Sequence, residues 1–425
     1  MNVQLPEGRH QFARAAGAKA LGSGWLASVY ARGFHHLLDR IDAGLDEGAI
    51  EARLPDGSRR VLGGRGAGPT AEVDLRSWTA LLRLARSGSV GWYDAWVRGE
   101  WRSSDPVPLF DLFMRNRAGL GNSGRASGVF RALVKLQHWL RRNSRAGARR
   151  NIEFHYDLGN DFYALWLDAS MTYSSALFAE PIAAVESLEK AQARKIETLL
   201  GRLGLKRGDS LIEIGSGWGG LAEAAARDHG ASVTGITLSP SQKLYAEQRL
   251  AAAGLDGRVR FELVDYRDAT GQYDALASVE MVEAVGQEYW EDYLAAIHRL
   301  LKPGGRAAIQ YILIADDIFE GYAASADFIQ TYIFPGGMLL SESRFRAIAE
   351  RLGLEWRDRE SFGLDYAETL RRWRQNFDAA VTDGRLPSEF DEHFVNLWRY
   401  YLMYCEGGFR GQGIDVAQVT LVKPR

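Results

Sequence analysis

The sequence predicts an α/β protein whose second half forms a doubly wound, mostly parallel sheet and whose first half forms a smaller α/β unit. Two observations support this prediction. Residues 211 to 242 read as a strand, a glycine-rich turn, a helix and a second strand, which together make one βαβ unit. Strand and helix patterns continue to alternate after it, and this order produces parallel sheets. Ligands of such sheets bind at the carboxyl ends of the strands.

The first half opens with a mixed α/β pattern over residues 20 to 115. Residues 48 to 64 hold two short strands around Pro55-Asp56-Gly57, which is typical of a β-hairpin. Composition shifts divide the chain into three parts. We predict a smaller first domain at 1–120, a basic linker helix at 121–150 and a larger second domain at 151–425.

The charged residues of the linker are all basic. Between Asp111 and Glu153 the chain carries ten arginines and lysines and no acidic residue. Apolar residues recur at helical spacing over 127–143, which predicts a basic amphipathic helix. Such a helix suits an anionic membrane surface, and it equally suits an interdomain helix that buries its apolar face. Both interpretations stay open, whereas nucleic acid is not expected because no base-reading motif accompanies the charge.

The second half alternates helices and strands. Residues 160 to 203 read as helical and precede the βαβ unit. Further elements are a strand at 275–280, a helix at 289–301 and, after a turn at 302–305, a strand at 306–314. This alternation extends the predicted parallel sheet beyond its first two strands.

Composition narrows the class of protein. The 425 residues are 46% apolar and 25% charged, with a formal net charge of −2, which is ordinary for a globular enzyme of two or three domains. The single cysteine, Cys405, excludes an internal disulfide and a multi-cysteine metal cluster, and no metal is expected. No apolar run reaches transmembrane length, and the start lacks a secretory h-region. We therefore expect a cytoplasmic protein, peripheral on the inner face of the membrane.

The glycine-rich turn indicates a nucleotide-containing cofactor. Gly215, Gly217 and Gly220 satisfy the pattern GxGxxG, in which glycines let the backbone approach a ligand. An NAD site needs an acidic residue about 20 positions later, at the end of the second strand. Thr237 stands there instead, within Thr237-Leu238-Ser239. The turn therefore favours an S-adenosylmethionine (SAM) methyltransferase over a dehydrogenase.

Several longer motifs follow one another over residues 150 to 425. In chain order they are HYDLGNDFY at 155–163, MTYSSA at 171–176, IGSGWGG at 214–220, GITLS at 235–239, DYRD at 265–268, YIFPGG at 332–337 and FGLDY at 362–366. With these motifs the chain resembles the cyclopropane-fatty-acyl-phospholipid synthase family of SAM-dependent lipid C-methyltransferases. The first half resembles the family's shorter accessory domain, with no motif as specific.

The resemblance implies a Rossmann-like class I SAM methyltransferase sheet and a set of cofactor-binding residues. That set is Tyr173, Ser174, Gly215, Ser216, Gly217, Thr237, Leu238, Ser239, Gln242, Tyr266 and Arg267. Hydroxyls of Thr237 and Ser239 can take the place of the usual ribose carboxylate. Tyr266 and Arg267 match the residues beside the adenine, which requires an aromatic or apolar slot.

The resemblance also implies a base site, and here the sequence departs from the family. Typical members hold a bicarbonate base with a cysteine, a glutamate, a histidine, an isoleucine main chain and a tyrosine. The matching positions here are Ser175, Glu283, Gln310, Ile312 and Tyr366. Glutamine supplies no positive charge, so bound bicarbonate is doubtful.

Two further residues bear on this chemistry. Glu280 stands where the typical synthase has a small residue, and a second carboxylate near the site could serve as the base directly. A salt bridge or a role at a helix start is the alternative interpretation of Glu280. Cys405 matches a cysteine once suspected of catalysis, but an inert packed thiol is the simpler interpretation because the reaction needs a base.

The implied activity is transfer of the SAM methyl group to the double bond of unsaturated acyl chains of membrane phospholipids, giving cyclopropane fatty acids. The altered base site makes a methylene- or methyl-branched product the alternative, which would require a separate reductase. Two other classes stay open: a small-molecule methyltransferase with the same cofactor fold, and a silent lipid-binding protein. A homodimer also stays open.

Overall fold

The computed structural model describes residues 25–121, 158–180, 182, 185–325 and 327–425. The predicted basic helix at 127–143 lies outside the described residues, as does the start of the HYDLGNDFY motif. The helices and strands of the described residues are numbered in chain order.

The first half contains a four-stranded sheet with strand order β2-β1-β3-β4. The predicted hairpin is confirmed, since β1 and β2 pair antiparallel, while β3 pairs parallel with β1. The elements of this unit are α1 (Trp25–Ala43), β1 (Ala49–Arg53), β2 (Arg59–Gly63), β3 (Thr70–Leu75), α2 (Thr79–Val97), β4 (Trp101–Arg102), α3 (Val107–Arg115) and α4 (Arg117–Leu120).

The second half contains a seven-stranded sheet with strand order β10-β11-β9-β8-β5-β6-β7. Strands β5 to β9 are mutually parallel, and β11 runs antiparallel between β9 and β10. The doubly wound α/β prediction is therefore confirmed. The strands are β5 (Ser210–Ile214), β6 (Ser232–Thr237), β7 (Val259–Leu263), β8 (Tyr273–Val279), β9 (Leu301–Ile314), β10 (Glu355–Ser361) and β11 (Ile414–Val422).

Helices cover this sheet on both sides. They are α5 (Asn160–Ala164), α6 (Leu188–Leu203), α7 (Gly220–Asp228), α8 (Pro240–Ala252), α9 (Trp290–Leu300), α10 (Asp316–Ala323), α11 (Phe328–Tyr332), α12 (Glu342–Arg351), α13 (Gly363–Thr382) and α14 (Glu392–Arg410).

The expectation of continuous helix over residues 160 to 203 is wrong. The helix ends at Ala164, and among the described residues the next helix begins at Leu188. Between them two backbone groups bond to α13: Ala176 N–H donates to the Thr369 hydroxyl (3.1 Å) and Phe178 N–H donates to the Asp365 carboxylate (2.6 Å). Tertiary hydrogen bonds thus override the local helical preference.

The first unit packs closely on the second through α3 and α14. A Cβ atom placed on Gly407 of α14 would lie 2.4 Å from Cβ of Phe110 on α3, so this approach requires glycine. Phe110 also meets the ring of Tyr400 on α14 at 5.3 Å between centroids. Buried side chains of both units belong to one hydrophobic core.

Candidate active site

A cavity of about 520 Å³ opens at the carboxyl ends of β5, β6, β8 and β9. This volume lies within the range of small-molecule sites, about 300–1,000 Å³. Its wall has three parts: the glycine-rich turn with the ends of the neighbouring strands, a group of acidic and polar side chains around Glu280, and an apolar part from α2 and α3. The sheet therefore places its cavity where the sequence predicted ligand binding.

The glycine-rich turn presents bare backbone to the cavity. Gly217 has φ of +49°, and a Cβ atom there would meet nothing within 4 Å, although the residue lines the cavity. The Ser216 hydroxyl is buried beside it and has no hydrogen-bond partner among the described residues. Open space in front of a glycine and an unsatisfied hydroxyl fit a polar ligand such as SAM.

Residues after β6 form the next part of the wall. Thr237, Leu238 and Gln242 line the cavity, and the Thr237 hydroxyl donates to the Gln242 side-chain oxygen (3.1 Å). Ser239 is not among the lining residues. It is the N-cap of α8, and its hydroxyl accepts the Gln242 N–H (3.3 Å); its contact with the cofactor stays a prediction.

Tyr266 and Arg267 line the cavity after β7. Tyr266 is buried and meets Tyr293 edge-on, at 5.4 Å between ring centroids. Arg267 donates two side-chain hydrogen bonds to the Asp265 carboxylate (2.6 and 2.8 Å), which hold its guanidinium 5.4 Å from the Tyr266 ring centre. The arrangement supplies the aromatic and polar surface that an adenine needs.

Tyr173 and Ser174 reach the cavity from the irregular segment between α5 and α6. The Tyr173 hydroxyl lies 2.8 Å from that of Tyr401, and the Ser174 hydroxyl accepts a hydrogen bond from Lys195 Nζ (2.6 Å). Sequence reasoning missed Lys195, which is 1% exposed. A signal existed, since Lys195 lies four residues from both Ala191 and Leu199 on the apolar face of α6.

Glu280 follows β8 directly, and its carboxylate accepts three hydrogen bonds. Oε1 accepts from the Ser175 N–H (2.8 Å) and from Gln310 Nε2 (2.8 Å), and Oε2 accepts from the Tyr366 hydroxyl (2.6 Å). Among the described residues these donors are all neutral, so the salt-bridge interpretation of Glu280 is wrong. The side chain lines the cavity and is half-buried.

The backbone at Glu280 is held in an unfavourable conformation. Its φ is +47°, in the left-handed region that residues other than glycine rarely adopt. The Glu280 N–H donates to the Gln310 carbonyl oxygen (2.8 Å), so Gln310 contacts both the backbone and the side chain of Glu280. Such outliers cluster at functional sites, where surrounding contacts maintain them.

Ser175 and Gln310 occupy positions that match bicarbonate ligands, and both contact the Glu280 carboxylate. The Ser175 hydroxyl is directed elsewhere, donating to the Ala176 carbonyl (2.9 Å), and only its N–H reaches Glu280. The Gln310 side-chain oxygen accepts from Gln418 Nε2 (3.0 Å), which orients the amide so that its nitrogen points to Glu280. A carboxylate of the protein therefore takes up these hydrogen-bond donors.

Glu283 differs from Glu280 in its hydrogen bonds and in the pKa of its carboxyl group. Glu283 Oε1 accepts the Ile312 N–H, while its buried Oε2 has no hydrogen-bond partner among the described residues. Burial and the charge of Glu280 raise the pKa of Glu283 to about 8. Burial also raises the pKa of Glu280, but its three donors and the charge of Lys195 oppose that shift. The environment thus favours a protonated Glu283, whereas hydrogen bonds and a nearby positive charge support the charged form of Glu280.

Tyr366 and Cys405 complete the polar part of the wall. The Tyr366 ring stacks on Phe409 of α14 at 4.4 Å between centroids, which fixes its hydroxyl toward Glu280. Burial raises the pKa of Cys405 well above its usual range, so the thiol stays protonated. In the described ranges, no group of three or more histidine, cysteine or acidic side chains is arranged to hold a metal.

The apolar part of the wall comes from the first unit. Phe110, Phe113 and Met114 of α3 line the cavity together with Trp92 of α2. Helix α2 is broken at Gly88 (φ 57°, ψ −138°), which also lines the cavity. The first unit therefore helps to enclose the cavity that begins at the cofactor turn.

Comparison with known proteins agrees with this geometry. A family model described as mycolic acid cyclopropane synthetase matches residues 143–419. The chain belongs to this family. It is 41% identical over 358 residues to the tuberculostearic acid methyltransferase UfaA1 of Mycobacterium tuberculosis, covering 80% of each chain. It is 32% identical to the cyclopropane-fatty-acyl-phospholipid synthase of Escherichia coli K12, covering 85% of this chain and 90% of that relative.

Solved structures in the family share the fold. The mycolic acid cyclopropane synthase CmaA1, complexed with SAH and CTAB, is 31% identical with a TM-score of 0.61, covering 65% of this chain and 98% of its own. The protein is therefore a SAM-dependent methyltransferase that acts on lipid acyl chains. Within the described residues, no helix is both long and apolar enough to cross a membrane.

Proposed function

We propose that this methyltransferase acts on the double bond of unsaturated acyl chains in membrane phospholipids, with Glu280 as the base, and that it forms a methylene-branched chain. One observation carries the proposal: the Glu280 carboxylate accepts hydrogen bonds from Ser175, Gln310 and Tyr366. In typical relatives the matching residues hold bicarbonate. A fixed carboxylate of the protein replaces that ion here.

The cofactor brings an electrophilic methyl group on a sulfonium centre. The chain's own residues then have three tasks. The turn at Gly215–Gly217, Thr237 and Tyr266 would hold the cofactor; the apolar wall would exclude water, which would otherwise capture a cation on the acyl chain. The rings of Tyr366 and Phe409 line the cavity and can stabilise such a cation through their faces.

Glu280 would then accept a proton from the methylated chain. The carboxylate is half-buried and open to the cavity, and its donors and the charge of Lys195 oppose the rise in its pKa that burial causes, so it can act as a general base. Its three donors stabilise the charged form, however, so Glu280 is a weaker base than a buried carboxylate without such donors, and this slows proton removal. A slow base gives time for a hydride to move from the methylated carbon to its neighbour, which leaves the more stable tertiary cation. Proton loss from the new methyl group then gives a methylene branch (C=CH₂) on the chain.

The comparison with UfaA1 supports a branched product, since tuberculostearic acid methyltransferase is the name of a relative 41% identical to this chain. A reductase supplied by the host would convert the methylene to a methyl branch. Cyclopropane is the second candidate, favoured by the 32% identity to the E. coli synthase. In that case the base would remove the proton before the hydride moves, and the ring would close.

Lipid analysis tests both candidates. The protein is expressed in a host that has unsaturated phospholipids and no related enzyme, and the acyl chains are analysed by mass spectrometry. Either product adds the mass of one CH₂. Mild hydrogenation separates them, because the double bond of a methylene branch takes up hydrogen and a cyclopropane does not. Resistance of the added mass to hydrogenation would establish the ring, and no added mass would contradict the activity.

Membrane binding through the basic linker is part of the proposal. Reversing the charges of Arg141, Arg142, Arg149 and Arg150 should weaken binding to anionic vesicles, by about 1 kcal/mol per base near the surface. Binding to neutral vesicles should change little, and added salt should mimic the substitutions. Vesicle sedimentation measures both. Equal binding of native and variant protein to anionic vesicles would return the segment to an interdomain role.

A further inference from the structure

Lys195 is a buried cation that the proposed chemistry does not use directly. It lies on α6 with 1% of its surface exposed, and its Nζ donates to the Ser174 hydroxyl at 2.6 Å. It also lines the cavity. Burying an ammonium group is costly unless nearby negative charge and hydrogen bonds compensate it. The position therefore calls for a negatively charged counterpart.

Two hydrogen-bonded routes lead from Lys195 to Glu280. The first runs through the side chain: Lys195 Nζ holds the Ser174 hydroxyl, and the N–H of the next residue, Ser175, donates to Glu280 Oε1 (2.8 Å). The second runs through the main chain: Gln418 Nε2 bonds to the Lys195 carbonyl (3.4 Å) and to Gln310 Oε1 (3.0 Å). Gln310 in turn donates to Glu280.

We propose that Lys195 is a positioning residue for the base: its positive charge keeps the Glu280 carboxylate ionised, and its hydrogen bond seats the Ser174-Ser175 backbone against that carboxylate. The inference rests on the proposed function, because it assigns Lys195 a role through Glu280. Lys195 thus affects Glu280 through its electric charge and through the hydrogen bonds of the residues between them.

The surrounding charges agree with this assignment. Burial lowers the pKa of Lys195 to about 8, while Glu280, Asp168 and Glu213 oppose that shift, so Lys195 is protonated at neutral pH. Burial also raises the pKa of Glu213 to about 8, which leaves it largely neutral there.

The other titratable groups that face Glu280 carry no positive charge. They are Glu283 from its own segment and Tyr366 from α13. Lys195 is therefore the cation that favours the charged form of Glu280 among the described groups acting on it.

The pH dependence of turnover tests the charge. Lys195→Met removes the cation, so the pKa of Glu280 should rise and the acid limb of the pH–rate profile should move to higher pH by about one unit. Lys195→Arg keeps the charge and should move the limb back toward its native position. Lys190→Met is the matched control, because Lys190 is exposed on the same helix. An acid limb that stays in place in Lys195→Met would overturn the proposal.

A stability cycle tests the pairing without measuring turnover. The loss in Tm caused by Lys195→Met should shrink by at least half in a Glu280→Gln background, because no buried carboxylate is left without its cation. If Lys195→Met alone fails to fold, the double variant should fold again. Equal losses in both backgrounds, or a double variant that also fails to fold, would contradict the pairing.

The two proposals fail in distinguishable ways. Full activity of Glu280→Gln together with a coupled stability cycle would reject Glu280 as the base and keep the ionic pairing. Loss of activity in Glu280→Gln without coupling to Lys195 would keep the base and reject the positioning role. Calorimetry with SAM on each variant checks that the cofactor still binds.

Discussion

The two ends of the cavity are built in different ways. The cofactor end uses neighbouring residues of one βαβ unit, such as Gly217 and Thr237. At the base end, Glu280 meets donors from Ser175, Gln310 and Tyr366, which lie 105, 30 and 86 positions away in the chain. Under the proposed function, a local motif thus encodes cofactor binding, while long-range contacts decide the fate of the methylated chain. Substitutions at the base end can change the product and leave the cofactor site intact.

The largest expected effect is at the base. Glu280→Gln keeps the size of the side chain but removes its basicity, so turnover should fall roughly 100-fold or more, the usual range for loss of a general base. SAM affinity should stay native by calorimetry. Glu288→Gln, at an exposed position nearby, is the control. Near-native turnover of Glu280→Gln would reject Glu280 as the base.

A smaller side chain at the same position tests whether Glu280 replaces a diffusible base. Glu280→Ala leaves the donors from Ser175, Gln310 and Tyr366 without an acceptor, so added bicarbonate or formate should bind there and raise turnover about tenfold, part of what a positioned base contributes. Glu280→Gln should not respond, because its side chain fills the space. Native turnover should be independent of bicarbonate. A strong bicarbonate requirement in the native enzyme would mean that the ion still serves as base.

A substitution at the cofactor end should lower the affinity for SAM, which the substitutions of Glu280 leave unchanged. Gly217→Ala places a methyl group in the open space before the turn, so SAM affinity should fall about tenfold, equivalent to about 1.4 kcal/mol. Gly254→Ala is the control, since Gly254 is also left-handed (φ +67°) with open space around it, but it is exposed and does not line the cavity. Equal calorimetric affinity for SAM in both variants would remove the turn from the cofactor site.

The sequence predicted the structure around the cofactor end of the cavity more fully than the structure around the base end. The spacing of apolar residues and the placement of glycines predicted the βαβ unit, because both are local properties of the sequence. The same reasoning misread residues 160 to 203 as one helix, since the bonds that hold the middle of that segment come from Asp365 and Thr369, far along the chain. Its assignment of Ser239 to the cofactor stays a prediction, and the same hydroxyl caps α8.

At the base end, the sequence indicated that Glu280 and Glu283 are present but not how their environments differ. That difference depends on which donors reach each carboxylate, and the donors come from separate elements. Lys195 was missed because a lysine in a charged amphipathic helix reads as exposed. Only its spacing from Ala191 and Leu199 indicated burial.

The smallest expected effect is at the apolar wall that the first unit supplies. Phe113→Ala should enlarge this part of the cavity and shift the preference between shorter and longer unsaturated chains by up to about tenfold, the lower end of discrimination in apolar pockets. SAM affinity and the pH dependence should not change, because Phe113 lies on α3 and not on the cofactor turn or the base segment. Val61→Ala, at an exposed position of the same unit, is the control. Competition between two phospholipids of different chain length, measured by mass spectrometry, gives the ratio. An unchanged ratio would place chain selection in the second unit alone.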